Sequence, residues 1–311
     1  MAQALRLRSF AKVNLGLEVL GLRQDGYHEL RTVFQSIDLH DDLTLRPHAH
    51  DLRVTCDHPG VPLDETNLAW RAAHDLRRYA RVERGVSIDI RKRIPVAGGL
   101  GGGSSNAAAV LLGLDRLWRL GLGPAGLHPL AVRLGADVPF FLSGGTALGI
   151  GRGEEVYPLL AQVRAHVVVV DLRRPVSTAA VFRRVDASLT PRENSPTIFR
   201  FVSRAFEGVS SLSGLVNDLE PAALQEAPDL AEKVAAVRAI LVASGARLAA
   251  LSGSGSSFFG AFEDATAARR GHAALRDSGY NAIRSRTLAR SAYHRDLFSV
   301  APTGRRAAPA G

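Results

Sequence analysis

The sequence predicts an α+β protein of two domains, and three observations carry that expectation. With 311 residues, 46% of them hydrophobic, the chain can bury two cores. Near residues 86–120 a period-two stretch, Val86-Ser87-Ile88-Asp89-Ile90-Arg91, runs through a glycine-rich turn into an Ala/Leu-rich helical run. Toward the C-terminus, residues 247–251, 258–262, 265–277 and 283–288 read as strand, strand, helix and strand. Two adjacent strands followed by a helix suit an α+β layer better than a doubly wound sheet.

Taken in order, Leu5, Leu7, Ser9, Ala11 and Val13 share one face of a first strand, with Lys12 and Asn14 on the opposite face. A second apolar run from Leu15 to Leu20 leads into Gln24-Asp25-Gly26, a turn signal, and then Tyr27-His28-Glu29. Strands are expected at 32–38, 42–45 and 52–55. Asn67 stands as an N-cap before the amphipathic stretch 68–76. After the strand at 86–91 and the glycine turn, a helix is expected over 104–120, stopped at 121–124, with a shorter helix to Leu134. Gly135-Ala136-Asp137-Val138-Pro139-Phe140-Phe141 embeds an aspartate among small and aromatic residues. A carboxylate there is either a turn or cap residue, or a partly buried acid that needs a partner.

The run 144–151 reads as a strand between turns, and His166-Val167-Val168-Val169-Val170-Asp171 as a buried strand opening the second domain. The domains are expected at 1–162 and 163–301, with residues 302–311 a disordered tail. Ser177 or Thr178 caps a helix start, 188–194 is a polar loop, and 215–221 separates two helical stretches. A helix follows over 228–244. Ser252-Gly253-Ser254-Gly255-Ser256-Ser257 then forms a second glycine–serine turn.

The single cysteine, Cys56, excludes an intramolecular disulfide, and no Cys/His cluster has zinc spacing. No charged-then-apolar leader opens the chain and no apolar run reaches membrane-spanning length, so a soluble cytoplasmic protein without a membrane partner is expected. The net charge of +9 is spread over short groups such as Arg91-Lys92-Arg93 and Arg269-Arg270. Without a longer basic block or interleaved aromatics, it suits a polyanionic small molecule better than a nucleic acid. Lys12, Lys92 and Lys233 are the only lysines, a hint that a compact ammonium is wanted at those positions.

The central feature is Pro95-Val96-Ala97-Gly98-Gly99-Leu100-Gly101-Gly102-Gly103-Ser104-Ser105-Asn106. Residues without side chains let backbone N–H groups close on an oxyanion, and the free N–H groups of the following helix turn point the same way. A P-loop needs a Gly-Lys-Ser/Thr that is absent here. A Rossmann fingerprint begun at Gly99 reaches Ser104 where Gly or Ala belongs. His294-Arg295-Asp296-Leu297 imitates a protein-kinase catalytic loop, but Ala301 stands at the required Asn and no Asp-Phe-Gly follows.

The stretch from Pro95 to Ser105 resembles instead the second motif of the GHMP kinases. Leu251-Ser252-Gly253-Ser254-Gly255-Ser256 resembles their third motif and Ala11-Lys12-Val13-Asn14-Leu15 their first. Three motifs in the right order are far more specific than any one. Gly101-Gly102-Gly103-Ser104-Ser105, the run around Tyr27-His28-Glu29, Gly135-Ala136-Asp137-Val138-Pro139 and Asn217-Asp218-Leu219-Glu220 further resemble the branch of this superfamily named for 4-diphosphocytidyl-2-C-methyl-D-erythritol. Asn106 departs from the Asp that many of its members carry.

The resemblance implies an N-terminal lobe like ribosomal protein S5 domain 2 and a ferredoxin-like C-terminal lobe. It implies transfer of a phosphoryl group from ATP, with Mg2+, to the 2-hydroxyl of that cytidyl diphosphate substrate in the non-mevalonate isoprenoid pathway. Pro95, Val96, Ala97, Gly98, Gly99, Leu100, Gly101, Gly102, Gly103, Ser104 and Ser105 would wrap the ATP phosphates, with magnesium near the two serine hydroxyls. Asp137 would take the hydroxyl proton and Lys12 would stabilise the alkoxide. Asn14, Tyr27, His28, Thr178 and Phe182 would hold the substrate, the aromatic rings about its pyrimidine. On local pattern alone, Tyr27 and His28 fit strand packing equally well, and Phe182 fits a core-facing helix position. Other readings are a homoserine- or mevalonate-type kinase, a basic RNA-binding protein, and a non-catalytic nucleotide sensor; the sequence leaves the oligomeric state open.

Overall fold

The computed structural model describes residues 4–160, 162–188, 198, 201–203 and 207–298. Strands β1 (Leu5–Leu22) and β2 (His28–His48) form a long antiparallel hairpin around the turn at 24–26. The two stretches expected at 32–38 and 42–45 are thus parts of one strand. Beside β2 lie β4 (Gly85–Arg91) and β5 (Thr146–Gly151), with β3 (Leu52–Cys56) parallel to β4 and the short β6 (Glu155–Pro158) on β5. Helices α1 (Leu68–Tyr79), α2 (Gly102–Trp118), α3 (Gly123–Leu134) and α4 (Val138–Ser143) cover one face of this sheet. In α1 the buried residues Ala69, Ala72, Ala73 and Leu76 form a 3.6-period stripe. Asn67 caps it as expected, its side-chain oxygen accepting from the Ala69 N–H. Helix α2 is buried almost all round, and Gly113 permits its close approach: a Cβ there would stand 2.6 Å from Leu45 and 2.7 Å from Leu7.

One sequence expectation fails in an informative way. Leu7 packs with the helices and Ser9 hydrogen-bonds to α2, whereas Ala11 and Val13 lie in a different core on the other side. The register shift between Phe10 and Ala11 breaks the alternation, so the five residues do not share a face. The same break turns Lys12 and Asn14 toward the helices and the glycine turn.

The second sheet comprises β7 (His166–Asp171), β8 (Leu248–Leu251), β9 (Phe258–Phe262) and β10 (Asn281–Arg286), all antiparallel in the order β10-β7-β9-β8. Helices α5 (Thr178–Ser188), α6 (Leu219–Glu226) and α7 (Pro228–Ala243) lie between β7 and β8, and α8 (Ala265–Asp277) between β9 and β10. Strand, helices, two strands, helix and strand in this order make the expected ferredoxin-like arrangement. Val168, Val170, Phe258 and Phe262 pack on the helices, while Val167, Val169, Phe259 and Ala261 pack on Ala11, Val13, Val33 and Ile37 of the first sheet. Burial on both faces explains the uninterrupted apolar run in β7. The two sheets therefore share an apolar layer, and each fully buried Val or Phe there contributes about 1.5–3 kcal/mol.

The sequence did not announce α9 (Arg290–Leu297). It returns to the first lobe, where the Tyr293 hydroxyl donates to the Phe141 carbonyl (2.6 Å) and the ring leaves no room for a side chain at Gly144. Burial pushes the Tyr293 phenol above its ordinary value. Helix α9 thereby braces α4, the helix that follows Asp137. Beyond Ser188, the polar loop read at 188–194 lies outside the described residues, as does the tail at 302–311. Among the described residues no helix is long and apolar enough to cross a membrane.

Candidate active site

Between the lobes lies a cavity of about 590 Å³ lined by residues 95–104, together with Lys12, Asn14, Asp137, Thr178, Phe182, Gly253 and Ser254. The first and third motifs are brought onto the second by direct backbone contacts. The Lys12 N–H donates to the Leu100 carbonyl (3.0 Å) and the Ser257 N–H to the Gly98 carbonyl (3.0 Å). The Ser252 hydroxyl donates to the Gly99 carbonyl (2.9 Å). Glycine is required at this junction. Gly99 has φ +75°, and a Cβ would stand 2.0 Å from the Ser252 carbonyl oxygen; at Gly98 it would stand 2.2 Å from the Ser257 hydroxyl. The N-terminus of α2, with no acidic residue in its first turn, opens into the cavity at Gly102–Ser104.

Ser104 lines the cavity, but Ser105 does not bring its hydroxyl there. That group is buried, donating to the Phe10 carbonyl (2.6 Å) and accepting from the Ser9 hydroxyl (2.7 Å). It ties α2 to β1, a role that its place beside Ser104 does not disclose.

Lys12 is 4% exposed, and its ammonium donates to Asn14 Oδ1 at 2.6 Å and stands 3.4 Å from Asp137 Oδ2. The Asn14 amide donates in turn to Thr32 Oγ1 (2.8 Å), which donates to the Gly16 carbonyl (2.8 Å). This chain fixes the lysine from beneath. Asp137 precedes α4 but its carboxylate makes no capping hydrogen bond, so it is free to face Lys12. Its side chain is one-third exposed (33%), open to a ligand on one side. Of the described residues lining the cavity it is the one carboxylate, against the cations Lys12, Lys92 and Arg152.

At the other end, Thr178 Oγ1 lies 2.8 Å from the Ser254 hydroxyl, joining the start of α5 to the third-motif turn. The Ser177 hydroxyl, one of the two expected caps, accepts from the Ala180 N–H (3.3 Å). Phe182 lines the cavity and stacks on the buried His28 ring, centroids 4.8 Å apart. It also packs against the C-terminal core, as the core-facing reading of Phe182 expects. His28 reaches the cavity through Phe182 rather than lining it. Tyr27 is 56% exposed, with Arg152 over its ring at 4.8 Å. Of the expected substrate residues, Asn14, Thr178 and Phe182 line the cavity, His28 lies behind Phe182, and Tyr27 stands beyond Arg152.

Sequence reasoning missed several supports. Asp41, fully buried, accepts from Lys92 Nζ (2.6 Å), the Arg93 N–H (2.8 Å) and the Ile94 N–H (2.9 Å), anchoring the approach to the glycine turn. The Asn106 amide, oriented toward acceptors, meets Ser9 Oγ, the Gly102 carbonyl and Asp41 Oδ2 (3.0 Å). Lysine scarcity had marked Lys92, but nothing had marked Asp41. Asn217 donates to the Leu251 and Gly253 carbonyls (3.0 and 2.8 Å) and so shapes the third-motif turn. Residues of the segment 60–68 also line the cavity; its only sequence signal is the Asn67 cap. Arg152 sits between Gly151 and Gly153, a pattern that reads as an ordinary turn.

Comparison with known proteins identifies the family. The family model described as GHMP kinases N terminal domain matches residues 67–145, and that described as GHMP kinases C terminal matches 204–281. A 4-diphosphocytidyl-2-C-methyl-D-erythritol kinase from Gloeobacter violaceus is 45% identical over 269 residues, covering 84% of this chain and 87% of its own. One from Geobacter metallireducens is 44% identical, covering 86% and 92%. A crystal structure of 4-(cytidine 5'-diphospho)-2C-methyl-D-erythritol kinase superposes with a TM-score of 0.74 at 38% identity, over 91% of this chain and 98% of that one. With both GHMP domains in order and such identity over most of its length, the chain belongs to the 4-diphosphocytidyl-2-C-methyl-D-erythritol kinase family of the GHMP kinases.

Proposed function

We propose that the chain transfers the γ-phosphoryl group of ATP to the 2-hydroxyl of 4-diphosphocytidyl-2-C-methyl-D-erythritol, with Asp137 as general base and Lys12 as the alkoxide's counter-charge. The observation that carries the reading is the Lys12–Asp137 pair, 3.4 Å apart beside the glycine loop, in a cavity where three cations face one carboxylate. Such a charge balance suits two polyphosphorylated ligands. Phosphoryl transfer asks chiefly for positioning and charge stabilisation.

The backbone N–H groups of the loop and the first turn of α2 hold the triphosphate. Magnesium fits the donor set: it accepts few protein oxygens beside phosphate oxygens and water, and Ser104 Oγ would hold it at the glycine loop. When bound, it supplies neutralisation of charge on the phosphates. Asp137 takes the proton of the 2-hydroxyl as the oxygen–phosphorus bond forms and the bond to the β-phosphate oxygen breaks. Lys12, immobilised by Asn14, stabilises the oxygen as it sheds its proton and keeps Asp137 aimed at it. Arg152 supplies positive charge for the substrate's diphosphate. Thr178 and the cavity-facing edge of Phe182 receive the cytidine, with His28 backing Phe182 and Tyr27 beyond Arg152.

A purified-protein assay with ATP and a panel of acceptors tests the assignment. Turnover is expected with the cytidyl substrate and not with mevalonate or homoserine. Turnover with either of those, and none with the cytidyl substrate, overturns it.

A further inference from the structure

A second cavity, about 490 Å³, lies on the C-terminal lobe where β7 ends, β10 begins and helices α7 and α8 come together. Arg173, Lys233 and Arg276 line it from three different elements: the segment after β7, the middle of α7 and the last turn of α8. Among the described residues, none of the three has a carboxylate within ion-pair distance. Their neighbour Arg174, by contrast, is paired with Asp229 at 3.0 Å.

The one carboxylate in the lining, Asp171, is engaged by neutral donors rather than by an ion pair. Its Oδ1 accepts from the Arg173 N–H (3.0 Å) and its Oδ2 from the Asn281 amide (3.4 Å). The first of these bonds accompanies a left-handed Arg173 (φ +51°), an uncommon conformation for a residue other than glycine. Tyr280 adds a half-buried ring whose other side packs on the C-terminal core.

We propose that this cavity binds a small molecule carrying a diphosphate group, independently of the glycine-loop site. Three exposed cations that line one cavity without an ion-paired carboxylate can each give a charge-assisted hydrogen bond to a multiply charged anion. The volume falls in the range of ligand sites, and Tyr280 offers a flat apolar wall to the ligand's organic part. The segment from Leu172 to Ser177 connects this cavity along the chain to Thr178 of the cleft.

Calorimetric titration of the full chain with inorganic diphosphate tests this, comparing wild type with Arg173→Glu/Arg276→Glu. Any diphosphate held at the glycine loop is common to both proteins. The proposal expects a saturable one-equivalent event in wild type that weakens by at least about tenfold in the double variant. Identical titrations, or no saturable event in wild type beyond one shared with the variant, overturn it. Circular dichroism melting checks that the variant folds. If it does not, Lys233→Ala alone supplies the comparison, with a several-fold loss expected and unchanged affinity refuting the site.

Discussion

Replacing Asp41 by asparagine tests how the glycine loop is held. Asp41 is 0% exposed and the side chain of Lys92 only 5% exposed, so the ammonium has one anionic partner and almost no water. The substitution preserves shape and keeps one oxygen for the Arg93 and Ile94 N–H groups. It removes the charge, however, and turns an amide nitrogen toward two donors, Lys92 Nζ and the Asn106 amide. Removing one partner of a buried pair costs about 3–5 kcal/mol, because the other charge is left uncompensated. Against a typical total of roughly 5–15 kcal/mol the protein should still fold at 25 °C, with a much reduced urea midpoint. The loop's entry would shift, and KM for ATP would rise with it. Adding Lys92→Met to Asp41→Asn should restore most of the stability, since no unpaired charge then remains. Urea unfolding of the two single variants and the double completes the cycle. A loss under about 1 kcal/mol in Asp41→Asn would refute the reasoning.

Three further outcomes follow from the same geometry. Gly99→Ala places a methyl 2.0 Å from the Ser252 carbonyl at φ +75°, so the two glycine turns must separate; kcat/KM for ATP in steady-state assays should fall by roughly 100-fold or more. Phe182→Ala removes the ring beside His28 and should weaken the cytidyl substrate by about 1–3 kcal/mol in KM, leaving KM for ATP nearly unchanged. Burial, aided by Arg8 and Arg93 and opposed by Asp42, holds the His40 imidazole below its ordinary 6.5, so protonation favours the unfolded chain. His40's contribution is therefore complete above pH 6.5 and lost as pH falls toward its depressed folded value; Tm should drop on acidification from pH 7 to 5, and His40→Gln should flatten that drop.

Much of this molecule was legible in the sequence where one physical signal dominated. The strand at 166–171 and the helix at 265–277 match the expected spans, because a buried apolar run in one and an Asp264 cap in the other leave little choice. The glycine loop announced itself because backbone approach of this closeness admits no side chain. What stayed hidden depends on contacts across the sequence. The register shift at Phe10/Ala11 is a property of the β1–β2 pairing, and alternation read along one strand carries Leu7 and Ala11 to the same face. Asp41 sits in what reads as an ordinary strand, and only the fold brings it under Lys92, 51 residues away. Ser105 and Ser104 are indistinguishable in sequence, yet helix geometry turns one hydroxyl into β1 and leaves the other at the cavity. Arg152 gave no signal because a lone arginine between glycines fits any surface turn.

On the proposed mechanism Asp137, paired with Lys12, is the base that activates the acceptor hydroxyl. Asp137→Asn keeps the shape and the approach to Lys12 but cannot take a proton, and ATP binding rests on residues 95–104 rather than on it. The decisive measurement is the steady-state rate of cytidyl-substrate phosphorylation by Asp137→Asn beside wild type. The expected result is a kcat lower by about 10²–10⁴ with KM for ATP little changed. A kcat within about threefold of wild type would contradict it, since general-base catalysis contributes far more than that.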